Sequence, residues 1–139
     1  MTKHVFEGRC HCGNVEYTFD ASAALEVLGL RACQCSFCRA HGARTTSDPN
    51  GTLQLRVIDE TKLTRYRFGL MTADFLLCTQ CGVFLGALMS EAGHSWITIN
   101  ANTLTPPPPL DVPITPMDFS SENTAGRADR RKAKWTPVR

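Results

Sequence analysis

The stretch Cys33-Gln34-Cys35-Ser36-Phe37-Cys38 places three thiols within six residues, in the spacing C-x-C-x-x-C. A tight loop with this spacing can turn all three sulfurs toward one point, because thiolates that share a cation no longer repel one another as free anions. Soft thiolate ligands at tetrahedral angles select zinc over magnesium or calcium. The stretch therefore predicts a zinc-binding loop around which the rest of the chain is arranged.

Four further cysteines flank this loop as two pairs. They are Cys10 and Cys12 upstream, and Cys78 and Cys81 downstream. A structural zinc site is normally closed by four protein ligands, whereas a catalytic site keeps one coordination position open. We therefore predict a closed site from the two pairs and an open site from the central three thiols. The open site is expected to hold its metal less tightly and to be partly occupied; the alternative is a second structural zinc completed by a nearby His, Asp or water.

Other uses of seven cysteines fit the sequence less well. An odd count leaves one thiol outside any set of disulfides, and a C-x-C pair closes too short a loop for relaxed disulfide geometry. The C-x-x-C pair at Cys78 and Cys81 is followed by a short apolar run with two glycines, not by the long helix of a thioredoxin-like redox motif. Metal ligation therefore explains more of the cysteines than disulfides or redox chemistry.

Length and composition predict one domain of ordinary globular character. The chain has 139 residues, of which 42% are hydrophobic and 20% are charged. It contains no apolar stretch of the roughly 18 residues that a membrane span requires. The first residues, Met1 to Glu7, lack the apolar segment of a secretory signal, so we expect a cytoplasmic protein with reduced thiols and no membrane partner.

Alternation of apolar and polar residues predicts a mainly β fold. No segment shows a sustained helical period, and a short helix is an alternative to a strand only in the Ala-rich stretch before Leu30. The cysteine pairs then form zinc knuckles at the strand ends, which order loops that a small sheet could not hold alone. The predicted strands cover residues 15–19, 25–30, 52–58, 63–68, 74–78, 83–89 and 95–100.

The end of the chain differs in composition from the rest. Four prolines at 106–109 predict a stiff extended connector. Residues 120–139 carry six Lys or Arg against two acidic residues, a net charge of +4, whereas the first 119 residues carry −2. We therefore divide the chain into a zinc-binding β domain at 1–119 and a basic polar C-terminal tail at 120–139. Such a tail is solvated, or it contacts nucleic acid or another acidic partner in a non-catalytic binding module, although nucleic acid is the less favoured partner.

Three polar residues follow the central cysteine loop closely. Arg39 and Arg44 could meet the carboxylates of a small thiol ligand, and His41 is a candidate proton donor. The alternative is that these side chains neutralise the sulfurs or are simply solvated.

The order of the cysteine motifs resembles the glutathione-dependent formaldehyde-activating enzyme family, which includes centromere-protein-V-like members. The similarity lies in Cys10-His11-Cys12-Gly13, in Cys33 to Arg39 and in Cys78-Thr79-Gln80-Cys81-Gly82, and it runs from about Gly8 to about Leu104. The resemblance implies an Mss4-like fold of antiparallel β-sheets stapled by zinc-binding cysteine knuckles.

The resemblance also implies a division of ligands and a reaction. Cys10, Cys12, Cys78 and Cys81 would bind a structural zinc, and Cys33, Cys35 and Cys38 a catalytic zinc. The implied activity is that of a carbon-sulfur lyase, which forms or cleaves an S-hydroxymethyl adduct between glutathione, the thiol substrate, and formaldehyde or another small aldehyde. A glutathione carrier without turnover is the alternative in which the same site binds the thiol only.

Overall fold

The computed structural model describes residues 4–139, and these form twelve β-strands and three α-helices. The helices are α1 (Leu25–Leu28), α2 (Ser36–His41) and α3 (Thr124–Lys134). The strands are β1 (His4–Arg9), β2 (Val15–Ala21), β3 (Leu30–Cys33), β4 (Thr45–Thr46), β5 (Thr52–Val57), β6 (Leu63–Tyr66), β7 (Asp74–Cys78), β8 (Phe84–Glu91), β9 (His94–Asn100), β10 (Leu104–Thr105), β11 (Ile114–Met117) and β12 (Thr136–Pro137).

The strands form two sheets that share one core. The smaller sheet has the order β10-β1-β2-β5, and the larger has the order β11-β3-β4-β9-β8-β7-β6, with β12 paired to β9. All pairs between named strands are antiparallel except β11 with β3. The mainly β fold of antiparallel sheets is therefore confirmed.

The composition of the core follows from the alternation of buried and partly exposed side chains along the strands. Val15, Tyr17 and Phe19 point to one face of β2 and are buried together with Leu76 and Ile97 of the larger sheet. Since successive residues of a strand face opposite sides, the intervening positions of β2 are left partly exposed. Burial of these apolar side chains joins the two sheets into one hydrophobic unit.

The structure differs from the sequence prediction in several elements. The segment predicted as a strand at 25–30 begins as the short helix α1, which ends at Gly29 with φ of 72°, and β3 starts only at Leu30. Gly29 supplies the left-handed φ that ends the helix. The sequence analysis also does not predict strands β1, β4, β10, β11 and β12 or helices α2 and α3.

The C-terminal residues 120–139 contribute secondary structure to the fold. Asn123 caps α3 by accepting a hydrogen bond from the backbone N–H of Gly126 at 2.7 Å. After the helix, β12 pairs with β9, and Trp135 and Thr136 are buried. The basic composition of this segment suggested a solvated tail, but one face of α3 packs against β8 through the buried cluster of Ala87, Met89 and Trp135.

Candidate metal centres and the adjoining cavity

The two cysteine pairs meet at one end of the molecule through two turns of similar design. In the first turn, Gly13 donates its N–H to the carbonyl of Cys10, and in the second Gly82 donates to the carbonyl of Cys78. Both glycines have φ near 80°, which permits the tight reversal behind the sulfurs. The backbone of each turn therefore brings its two thiols close together, as expected of a knuckle.

The four sulfurs of these turns form one compact group. The Sγ atoms of Cys10, Cys12, Cys78 and Cys81 all lie within 4.8 Å of one another. The Sγ of Cys12 is 3.7 Å from that of Cys10 and 3.5 Å from that of Cys78, which is 66 positions away in the chain. Because the members come from the β1–β2 turn and from the β7–β8 turn, this four-cysteine group connects the two sheets.

The central cysteines form a second group at the start of α2. Cys33 ends β3, Cys35 is the N-cap of α2, and Cys38 lies in the first turn of that helix. The Sγ of Cys35 accepts a hydrogen bond from the backbone N–H of Cys38 at 3.4 Å. The three sulfurs also lie within 4.8 Å of one another. A strand end followed directly by a helix start thus brings the C-x-C-x-x-C spacing to one point.

The pKa values of the thiols differ within each group. A hydrogen bond from the Cys38 thiol lowers the pKa of Cys33 to about 5, and the same bond, together with burial, raises the pKa of Cys38. In the four-cysteine group, burial raises the pKa of Cys78 to about 11. Burial acts in the same direction on Cys81, but hydrogen bonds from the backbone N–H groups of Cys12 and Val83 lower its pKa to about 6. Each group therefore contains a thiolate near neutral pH, the form that binds a metal.

Both groups fit zinc by the chemistry of their donors. All seven donors are cysteine sulfurs gathered at ligand spacing, and thiolate sets of this kind favour zinc over harder cations. Four sulfurs complete a tetrahedral set, whereas three leave one position for another ligand.

A cavity of about 370 Å³ opens beside the three-cysteine group. Its wall combines the three thiols with apolar rings, hydroxyl groups and four arginines, whereas the four-cysteine group does not line it. The aromatic members of the wall are Phe68, Phe75, Phe84, Phe119 and Trp135. The basic members are Arg31 of β3 and Arg127, Arg130 and Arg131 of α3.

Two of the arginines of α3 are held by one carboxylate. Glu122 accepts hydrogen bonds from Arg130 at 2.7 and 3.1 Å and from Arg127 at 3.4 Å. The hydrogen bond from Arg130 holds the pKa of Glu122 below its usual value. The guanidinium of Arg130 also lies 3.6 Å from the centre of the Phe119 ring. These contacts fix Arg127 and Arg130 on the cavity wall.

The other two arginines are held by neutral groups. Arg31 donates to the hydroxyl of Ser47 at 2.5 Å and to that of Thr98 at 3.4 Å. Arg131 donates to the hydroxyl of Thr72 at 2.9 Å and to its carbonyl at 3.3 Å. Burial, together with the charge of Arg130, lowers the pKa of Arg31, and the same causes bring that of Arg131 to about 10. Arginine side chains in proteins stay protonated at neutral pH, so both are cationic.

The polar residues that the sequence places beside the cysteine loop lie elsewhere. His41 and Arg39 are exposed on α2, and the His41 ring lies 4.5 Å from the Phe37 ring, measured between centres. Arg44 donates to the side-chain oxygen of Asn102 at 2.7 Å. None of the three lines the cavity, so the structure does not bring them together with the open side of the thiols.

The arginines of α3 were missed because they are about 90 positions away from the thiols in sequence. A usable signal was present: Arg127, Arg130 and Arg131 have the i, i+3 and i+4 spacing that places residues on one helix face, and Trp135 continues that face. The glycine and the charged residues between them hide this pattern from a search for apolar periodicity.

Most of the basic residues of the C-terminal segment line the cavity or form salt bridges within the fold. Three line the cavity, Lys132 pairs with Glu91 at 2.7 Å, and Arg139 pairs with Asp20 at 2.9 Å. This placement does not favour a free basic arm that contacts an acidic partner. Within residues 4–139, no helix is long and apolar enough to cross a membrane.

Comparison with known proteins agrees with the arrangement of thiols. The sequence profile of the glutathione-dependent formaldehyde-activating enzyme family matches residues 5–115, and the chain belongs to that family. Its fold is also similar to the crystal structure of a Rhodobacter sphaeroides protein determined in structural genomics, with a TM-score of 0.59 and 30% sequence identity over 79% of this chain and 97% of that chain. The resemblance seen in the cysteine motifs is thus confirmed, and helix α3 lies beyond the family match.

Proposed function

We propose that the protein is a zinc-dependent carbon-sulfur lyase that forms and cleaves the S-hydroxymethyl adduct of glutathione and formaldehyde. The observation that carries the proposal is the position of Cys33, Cys35 and Cys38, whose sulfurs converge and line a cavity of about 370 Å³. Membership of the glutathione-dependent formaldehyde-activating enzyme family supports this thiol and this aldehyde as the substrates. The cavity lies within the size range of small-molecule sites.

The residues divide between a structural role and a catalytic role. Cys10, Cys12, Cys78 and Cys81 would hold the structural zinc, and the three central cysteines the catalytic zinc. A zinc ion with one open position supplies a place for a thiolate and lowers the pKa of the thiol that enters. We place both substrates in the cavity beside the central sulfurs.

The reaction needs little beyond proximity and control of one proton. The sulfur of glutathione forms a bond to the carbonyl carbon of formaldehyde, the π electrons of that carbonyl pass to its oxygen, and the thiol proton ends on the oxygen. Cleavage is the reverse. The rings of Phe75, Phe84 and Trp135 limit water around the reacting atoms, and the cavity wall holds the thiol beside the aldehyde.

The proton donor remains a prediction. His41 is the candidate from the sequence, although it is exposed and does not line the cavity. The hydroxyls of Thr45, Thr98 and Ser120 do line it. His41→Gln tests the assignment: a role in proton transfer lowers the turnover rate and alters its pH profile, whereas transfer through water or a hydroxyl leaves both unchanged.

Exchange NMR tests the lyase proposal directly, because it measures the rate at which glutathione and its formaldehyde adduct interconvert at equilibrium. The wild type is expected to raise this rate above the spontaneous one. Ser36→Ala, which removes an exposed hydroxyl from the same loop, should retain the effect, and Cys35→Ser should lose it. Acceleration that survives in Cys35→Ser would refute the site.

The same experiment separates turnover from binding alone. If the wild type binds glutathione saturably without any acceleration of exchange, a carrier replaces the lyase. If the wild type neither binds glutathione nor accelerates the exchange, the result favours the alternative of a zinc-stabilised binding module.

A further inference from the structure

The cavity beside the three-cysteine group contains two arginines that no carboxylate neutralises. Among residues 4–139, Glu122 pairs with Arg127 and Arg130, but Arg31 and Arg131 form no salt bridge. Asp118 also lines the cavity, yet it is exposed and its Oδ1 accepts a hydrogen bond from the backbone N–H of Ser120. The four arginines of the cavity therefore exceed the three negative charges of Glu122, Asp118 and the Cys33 thiolate by one.

Arg131 is the more unusual of the two. Its residue is only 5% exposed, and its Nε is buried with no hydrogen-bond partner in the described part of the chain. Glu122 and the Cys33 thiolate are near enough to favour the charged form of Arg131, but no carboxylate among residues 4–139 forms a direct ion pair with it. A buried charge without a direct partner is costly, and a buried N–H without an acceptor adds to that cost. The fold retains this guanidinium at a cavity wall, where a ligand can supply a negative charge in direct contact with it.

The neighbours of Arg131 place its guanidinium at the cavity wall without satisfying it. One nitrogen, Nη1, donates to Thr72, and the Trp135 ring lies 4.8 Å from the central carbon of the guanidinium. Arg31 is oriented in the same way by the hydroxyls of Ser47 and Thr98. Neutral partners orient a guanidinium but leave its charge available, and a guanidinium fork matches the two oxygens of a carboxylate.

We propose that Arg31 and Arg131 bind the carboxylates of the thiol substrate whose sulfur lies at Cys33, Cys35 and Cys38. The inference rests on the proposed function and deepens it, because it assigns the recognition of the acidic thiol to named residues. Glutathione fits the requirement, since it carries a carboxylate at each end and its thiol between them. Arg131 lies outside residues 5–115, so the family match does not account for this part of the cavity.

Calorimetric titration of the zinc-loaded protein with γ-glutamyl-2-aminobutyryl-glycine tests the proposal. This probe has both carboxylates of glutathione, but a methyl group replaces the thiol. We expect Arg131→Met and Arg31→Met to raise its Kd about tenfold or more each, because each removes a charge-assisted hydrogen bond. Arg131→Lys, which retains the charge and loses the fork, should fall between the wild type and Arg131→Met.

Two controls distinguish recognition from damage to the fold. Lys132→Met removes a positive charge from the next residue of α3, which pairs with Glu91 and does not line the cavity, and it should change the Kd less than about twofold. The diethyl ester of the probe lacks both charges. It should bind the wild type about a hundredfold more weakly, because both charge-assisted contacts are lost, and Arg131→Met should not weaken it further.

The outcomes separate this inference from the lyase proposal. If Arg131→Met weakens the acid and the ester equally, or if the wild type binds both with one affinity, Arg131 is structural and the inference is wrong even if exchange NMR shows turnover. If the arginine-dependent preference for the acid is found without any turnover, the lyase proposal falls and the carboxylate site stands.

Discussion

The two thiol groups use the same ligand chemistry in different surroundings. The four-cysteine group is assembled from two turns that are 66 positions apart, and it connects the two sheets. The three-cysteine group comes from one strand end and the helix that follows it, and it lines a cavity. Under the proposed function, ligand number alone would not separate a structural site from a reactive one, and the space and the charges beside the three central sulfurs would add to the distinction.

The largest expected effect is on the stability of the closed site. Cys78→Ser removes a buried sulfur that joins the turns of different sheets, and we expect the free energy of unfolding to fall by about 4 kcal/mol or more. The reason is that metal binding at a structural site is itself folding free energy, roughly 10–16 kcal/mol in small zinc domains. Chemical denaturation followed by circular dichroism measures the change.

Gln80→Ala is the matched control for Cys78→Ser, since it alters an exposed residue of the same turn. It removes only a hydrogen bond from Lys62. A Cys78→Ser protein as stable as Gln80→Ala would break the distinction between the two groups.

Stepwise removal of metal tests whether the two thiol groups differ in their affinity for zinc. Because three protein ligands hold zinc less tightly than four, a chelator added in increasing amounts should remove the zinc of the central group first. Acceleration of the exchange between glutathione and its adduct should then disappear while the circular dichroism spectrum is unchanged. Metal analysis at each step checks the order, and simultaneous loss of both zincs would contradict it.

Cys35→Ser tests the same difference between the two thiol groups without a chelator. We expect the zinc content to fall from two ions to one, and the free energy of unfolding to change by about 1 kcal/mol, far less than for Cys78→Ser. Ser36→Ala, the adjacent substitution, should retain two zincs. Unfolding of Cys35→Ser to the same extent as Cys78→Ser would make the central group structural as well.

The smallest expected effect concerns the charges that only the central group has beside it. Glu122→Gln removes the carboxylate that holds Arg127 and Arg130, and the three side chains are about one fifth exposed. We expect the free energy of unfolding to fall by about 1 kcal/mol, because a hydrogen-bonded ion pair at such a site contributes on that order. Thermal denaturation measures this loss.

The zinc content of Glu122→Gln should remain at two ions, since the hydrogen bonds of Glu122 in the described residues are to Arg127 and Arg130 and not to a cysteine. Loss of the central zinc in this variant would mean that α3 holds the metal loop in place. The cavity wall and the metal site would then form one structural unit.

Local patterns predicted much of the fold. The alternation in residues 15–19 and 52–58 predicted strands that the structure contains, because a half-buried strand shows its period within a few residues. The helix α3 was not predicted, since its buried face carries arginines and a tryptophan in place of an apolar stripe. That face can be interpreted only with the cavity that it covers.

The sequence by itself determined which residues are thiols and how they group. The C-x-C-x-x-C spacing is short enough that one strand end and one helix turn bring its sulfurs together, and the turn glycines at 13 and 82 mark the two knuckles. Both features are local, so a few neighbouring residues are sufficient to specify them.

Only the tertiary structure decided what lies on the open side of the central thiols. Arg131 reaches the cavity because β12 returns along β9 and Val138 bridges to Leu53, which fixes the end of the chain to both sheets. Contacts between residues about 90 positions apart depend on the packing of the whole core, and no spacing in the sequence encodes them. The charge beside the three-cysteine group is therefore a property of the fold, whereas the grouping of the thiols is a property of the motifs.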